Sequence, residues 1–181
     1  VQKTAAEKAN MKRVKIMLMG DSTTAGDGSE AAFRYSFFSE LYEAGCFFQL
    51  VGDQASADYR LSTMYNRHLA QGGRTTDGLR ETYANNVAGG KFDYDIAVIT
   101  IGVNDMYGGA NATTLRPMYE ALLDTMFADR PDAKVYFAEL IWMPDLSDSN
   151  QASVDKLIAE LVEEYQGKGY DINLLKHREV S

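Results

Sequence analysis

Along the chain, short apolar runs alternate with longer stretches in which apolar residues return every three or four positions. Val14 to Met19 reads V-K-I-M-L-M, too continuous for a strand with one wet face and suited to one buried on both sides. It stops at Gly20-Asp21-Ser22-Thr23, which is turn chemistry. Phe48 to Val51 (closed by Gly52), Ile96 to Ile101, Lys134 to Leu140 and Asp171 to Leu175 predict four more strands. Between them, Phe33, Phe37, Phe38, Leu41 and Tyr42 predict a helix ended by Gly45. Leu79, Tyr83 and Val87 predict a second, capped by Thr75 or Thr76 and ended by Gly89-Gly90. Leu115, Tyr119, Leu122, Met126 and Phe127 mark a third, with Thr113 as its cap and Pro117 in its first turn. Val154, Leu157, Ile158, Leu161 and Tyr165 mark the last, stopped by Gly167 and Gly169. Strands alternating with helices mean βαβ units, hence one doubly wound α/β domain on a parallel five-stranded sheet. Residues 1–11 read as a polar tail and 12–181 as the domain. Residues 53–73 and 141–150 escape both periodicities and are expected to be loops, where function concentrates.

Candidate chemistry begins at Ser22, delivered to the end of a core strand, the edge where open α/β sheets bind ligands. Alone, a Ser after Asp is as well read as a helix cap. Downstream, however, the strand Ile96–Ile101 runs into Gly102-Val103-Asn104-Asp105, and His68-Leu69-Ala70-Gln71-Gly72-Gly73-Arg74-Thr75 lies between. Gly-Asp-Ser, a loop glycine and Gly-x-Asn-Asp, in that order, resemble the SGNH (GDSL-type) hydrolase superfamily. Within it the chain is similar to the acetylxylan esterases of carbohydrate esterase family 3, from about Lys12 to its end. The resemblance implies a flavodoxin-like strand order. It implies Ser22 as nucleophile, and the backbone N–H groups of Ser22 and Gly73 with the Asn104 amide as oxyanion donors. Acyl transfer calls for those groups: a nucleophile, and neutral donors aimed where negative charge develops. Asp21 and Thr23 beside the serine, with His68 and Trp142, are expected to line the substrate. The family 3 esterases carry an aromatic-proline loop where Trp142-Met143-Pro144 stands; its tryptophan either stacks on a sugar or folds back on the core.

The family's base is a histidine in an Asp-x-x-His block after the fifth strand, and no Asp-x-x-His occurs here. Of the two histidines, His177 follows the fifth strand and is the candidate base, although it comes earlier than the family's position; a plain strand-end histidine is the other reading. His68 precedes the glycine block and reads as substrate lining or loop packing. Two accounts fit the missing block. Either the chain stops short of it and of a closing helix, leaving a C-terminally incomplete domain whose uncovered face invites dimerisation, or the protein binds acylated ligands without turning them over.

Composition narrows the partners. A net charge of -8 with scattered cations argues against nucleic acid, and no apolar run approaches the ~20 residues of a membrane span. Cys46, the single cysteine, has no internal partner and lies in Gly45-Cys46-Phe47-Phe48, expected to be buried. Asp27, Asp53, Asp58 and Asp105 make no compact ligand pattern, Asp105 reading as a turn residue, so no metal and no cofactor are expected. The resemblance further implies a secreted or extracellular bacterial setting. The expected activity is a serine ester hydrolase removing small acyl groups, acetyl foremost, from a polysaccharide such as xylan. A lipid acylhydrolase or thioesterase, or a non-catalytic carbohydrate-binding domain, are the alternatives.

Overall fold

A computed structural model describes residues 12–26, 32–55 and 58–176. The five expected strands form as β1 (Val14–Gly20), β2 (Phe48–Val51), β5 (Ile96–Thr100), β6 (Lys134–Ala138) and β7 (Ile172–Leu175). Two further short strands, β3 (Gln54–Ala55) and β4 (Arg67–Ala70), come from the segment expected to be irregular. In β4 only Arg67 is exposed and the next three residues are buried, so Arg-His-Leu-Ala offers neither alternation nor an apolar run to read. β1 is the central strand. It pairs with β2 along its first half, with β4 at its end, and with β5 along its other side, all parallel. β6 and β7 follow in parallel, and β3 runs antiparallel to β4. The core order β2-β1-β5-β6-β7 is the flavodoxin-like winding.

The helices are α1 (Ser22–Ala25), α2 (Arg34–Glu43), α3 (Thr76–Asn86), α4 (Val103–Tyr107), α5 (Ala112–Asp129) and α6 (Asp148–Gly167). Alternate residues of β1 point to opposite faces, as a strand requires. Met17 and Met19 join the main core with Tyr83 of α3, Leu122 and Phe127 of α5, and Ile158 and Tyr165 of α6. Ile16 and Leu18 face a smaller core with Phe48, Leu50 and Val98, covered by Phe37, Phe38 and Leu41 of α2. Each fully buried side chain of this size stabilises the fold by about 1.5–3 kcal/mol.

Three local expectations change. Asn111, not Thr113, caps α5: its side chain accepts from Thr113 N and Thr114 N, and Thr114 returns the bond as a capping box. The helix therefore starts earlier, and Pro117 falls inside it rather than in its first turn. Cys46 is exposed, because the chain turning out of α2 through Gly45 (φ 74°) is still at the surface before β2 begins. Asp105 is no simple turn residue but is buried and doubly hydrogen-bonded, which matters at the site.

Candidate functional site

The strand register brings three segments together at one edge. Gly20 pairs with Ala70 on one side and Thr100 on the other. Ser22, Gly73 and Asn104 thus follow, by two to four residues each, the aligned ends of three adjacent strands. The Gln71 N–H donates to the Gly20 carbonyl at 3.2 Å, locking the turn after β4 onto the end of β1. A side chain at position 20 would collide: a Cβ there would lie 2.3 Å from Thr100 O and 2.6 Å from Thr24 Oγ1. The glycine before the serine is therefore needed for packing, independently of any chemistry.

Ser22 opens the one-turn helix α1 and is solvent-exposed. Asp21 is the N-cap: its Oδ1 accepts from Thr23 N at 2.9 Å and from Thr23 Oγ1 at 2.8 Å. It is buried, and burial pushes its carboxyl above the usual range despite the Thr23 bonds. This corrects the expectation for Asp21, whereas Thr23 stays half-exposed. Asp21 is sequestered, and the Thr23 hydroxyl donates to it, so the pair fixes the serine turn.

The other end of that turn is held by a residue the sequence reading passed over. Arg34 is fully buried in α2; its Nε donates to Thr24 O and its Nη2 to Ala25 O, both at 2.8 Å. A four-residue helix leaves its last carbonyls without partners of its own, and a guanidinium fork is suited to take two of them. Burial lowers the Arg34 pKa to about 10, so the group still carries its charge at neutral pH. A lone cation inside the aromatic run Phe33-Arg34-Tyr35-Ser36-Phe37-Phe38 was the available signal.

Gly73 adopts φ +74°, and nothing lies within 4 Å of where its Cβ would be. The requirement for glycine here is conformational, and the space beside it is open. Asn104 lies in the first turn of α4, half-buried, and its Nδ2 donates to Arg74 O at 2.9 Å. One amide hydrogen thereby anchors the glycine loop, and an amide carries a second. Next to it, Asp105 Oδ2 accepts from Thr76 N and Thr76 Oγ1, both at 2.9 Å. Burial raises the Asp105 pKa, opposed by those two bonds. Asn104 and Asp105 together fasten the loop from Gly73 to Thr76. Ahead of them Gly102 has φ +129°, and a Cβ there would meet Tyr119 Oη at 2.2 Å, the hydroxyl that donates to Ile101 O.

The remaining expected residues separate. His68 stands in β4, not on a loop, and is 3% exposed. Its Nδ1 accepts from Ala70 N at 3.2 Å, which places the neutral ring's proton on Nε2. Burial, then the nearby Arg34 charge, lower its pKa to about 4. A neutral, buried ring with its accepting nitrogen occupied cannot line a substrate from a loop. Trp142 is half exposed beyond β6, with its Nε1 donating to Asp148 Oδ1 at 2.9 Å. His177 lies outside the described residues. Among the described residues no three His, Cys, Asp or Glu side chains form a group that could hold a metal ion.

Chemically, the edge presents an exposed hydroxyl, an open glycine N–H segment and a carboxamide, the neutral donors that acyl transfer uses. The family model of the GDSL-like lipase/acylhydrolases matches residues 18–177. No curated protein matches the chain. Among solved structures, a family 3 carbohydrate esterase from Clostridium thermocellum matches with a TM-score of 0.80 at 24% identity, over 94% of this chain and 81% of that one. Another family 3 carbohydrate esterase, from Talaromyces cellulolyticus, matches at 0.74 and 23%, over 90% of this chain and 79% of that one. An esterase of the SGNH-hydrolase family matches at 0.67 and 18%, over 91% and 76%. At these identities the structural likeness is one of fold. The family match itself runs from within β1 through all three strand ends, and the chain belongs to the GDSL-like lipase/acylhydrolase (SGNH) family.

Proposed function

We propose that this protein is a serine ester hydrolase that removes small acyl groups, acetyl foremost, from an acylated polysaccharide such as xylan. The observation that carries the reading is the convergence of Ser22, the Gly73 loop and Asn104 on the aligned ends of β1, β4 and β5, tied by the Asn104–Arg74 bond. In this reading Ser22 Oγ attacks the acyl carbonyl carbon while its proton passes to a base. The carbonyl oxygen gains the negative charge and is met by the N–H groups of Ser22 and Gly73 and by the second amide hydrogen of Asn104. Collapse of that intermediate releases the sugar alcohol, and water then frees Ser22 from the acyl group.

His68 does not suit the base: it is buried, with Nδ1 already accepting from Ala70 and a pKa near 4. His177, the other histidine of this sequence, is the candidate base that substitution tests. The acetyl and xylan assignments rest on the likeness to family 3 carbohydrate esterases.

A second reading, a carbohydrate-binding domain without turnover, is favoured by one specific observation: among the described residues the histidine, His68, is buried with Nδ1 already accepting from Ala70 and does not serve Ser22 as a base. The test is hydrolysis of 4-nitrophenyl acetate and acetate release from acetylated xylan, comparing the protein with its Ser22→Ala and His177→Ala variants. Turnover abolished by both substitutions supports the esterase with His177 as base. Turnover that persists in Ser22→Ala refutes the serine mechanism, and no turnover on either ester together with saturable binding of acetylated xylan turns the reading to binding.

A further inference from the structure

The loop after β6 holds a tryptophan outward by means of buried polar groups. Met143 and Leu146 pack against the main core, whereas Trp142 between Ile141 and Met143 is 51% exposed. Gln151, fully buried in α6, grips the loop from beneath: its Oε1 accepts from Met143 N at 2.8 Å, and its Nε2 donates to Met143 O at 3.0 Å and Leu146 O at 3.2 Å. The buried Asp155 accepts from Leu140 N at 2.8 Å. A loop merely folded back on the core would hide its largest apolar side chain first; this one hides the smaller two and presents the indole.

A second ring stands on the same edge. Tyr107 closes α4, three residues after Asn104, and is also 51% exposed. Its hydroxyl donates to Asp145 Oδ1 at 2.7 Å, in the loop that carries Trp142, whose own Nε1 donates to Asp148 Oδ1 at 2.9 Å. Asn150 Nδ2 donates to Ala110 O at 3.1 Å and joins the two loops again. Each ring is thus fixed by a carboxylate. β5 and β6 lie one and two places from β1 on the same side, so the segments that carry the two rings leave the same sheet edge as Ser22.

We infer that Tyr107 and Trp142 form a two-ring platform for the neutral pyranose chain that carries the ester presented to Ser22. This rests on the esterase reading for the substrate's identity and adds how the polymer is held. Pyranose rings present apolar C–H faces to aromatic rings and hydroxyls at their rims, and each ring here has a carboxylate acceptor at its edge. Interrupting two aromatics with acids in this way suits a sugar better than an acyl chain, which needs continuous apolar lining. The Asp145 and Asp148 charges, in a chain of net charge -8, disfavour acidic polysaccharides.

Trp142 is the sole tryptophan, so its emission reads this site alone. Titration with xylohexaose is expected to give a saturable change in that emission. Tyr107→Ala should weaken binding about fivefold to tenfold, the size of one aromatic contact, while Tyr107→Phe, which keeps the ring, stays within about twofold of the parent. Hexagalacturonate should leave the emission unchanged. No saturable change with xylohexaose at millimolar concentration, equal binding by Tyr107→Ala with unaltered circular dichroism, or equal binding of hexagalacturonate would each overturn the platform. Hydrolysis of 4-nitrophenyl acetate by the same preparation separates the two readings. Sugar binding without hydrolysis keeps the platform and removes the esterase, and hydrolysis without sugar binding does the reverse.

Discussion

Replacing Arg34 by methionine tests whether the serine turn is held from within. Methionine keeps most of the apolar stem and removes only the fork, so two charge-assisted bonds, to Thr24 O and Ala25 O, are lost. Bonds to a charged group are each worth about 1.5–3 kcal/mol. Against that, the substitution relieves the cost of a fully buried cation, a cost visible in the lowered pKa of about 10. The carbonyls it leaves sit beside the buried Thr24, so their exposure to water does not make up the difference. The net expectation is a loss of about 2–4 kcal/mol in unfolding free energy by urea titration. Loosening the C-terminal end of α1 also displaces Ser22, and an ångström of displacement commonly costs about 100-fold in rate, so kcat for 4-nitrophenyl acetate should fall by that order while KM changes little. Arg34→Lys, which restores the charge but only one bond direction, should recover part of each. If Arg34→Met unfolds at the parent's urea midpoint and hydrolyses the ester at the parent's kcat, Arg34 does not hold the turn.

Three other consequences are directly measurable. Asn104→Ala removes the amide and unpins Arg74 O, and kcat for 4-nitrophenyl acetate should drop by about 10²–10³. Gly102→Ala forces a side chain to φ +129° and against Tyr119 Oη, costing about 3 kcal/mol or more. Adding Tyr119→Phe should return only the clash, so the double-mutant cycle is non-additive; strict additivity would show that no clash exists. His68, with a folded pKa of about 4 against an ordinary 6.5, binds its proton more readily when unfolded. Stability from this group is therefore complete above about pH 6.5 and is lost as pH falls toward about 4, by up to roughly 3 kcal/mol. The raised pKa values of Asp21 and Asp105 act in the opposite sense, so the test is the difference between the protein and His68→Asn. A pH profile of unfolding identical in the two would contradict the buried neutral ring.

Sequence-local physics carried the architecture. Five strands, their alternation with helices and the βαβ winding follow from short apolar runs and 3.6-residue periods, because each is dictated within a few residues by backbone and burial requirements. Ser22, Gly73 and Asn104 were picked out by the resemblance of Gly-Asp-Ser, the loop glycine and Gly-x-Asn-Asp to the SGNH family rather than by periodicity, for the strand that precedes Gly73 was not expected. Tertiary structure decided the rest. Arg67 to Ala70 becomes a strand because the end of β1 offers it a partner, and the partner is fifty residues away in the sequence. The burial of His68 and Asp21, the Arg34 fork on the serine turn and the Asp105 bonds to Thr76 all depend on which groups meet across elements, and that is set by packing, not by neighbours in the chain. Likewise, Cys46 and Trp142 sit in apolar stretches that read as buried or undecided, and both lie at the surface. An apolar side chain is buried only where the fold supplies a surface to cover it, and at these two positions the chain is turning between elements at the rim.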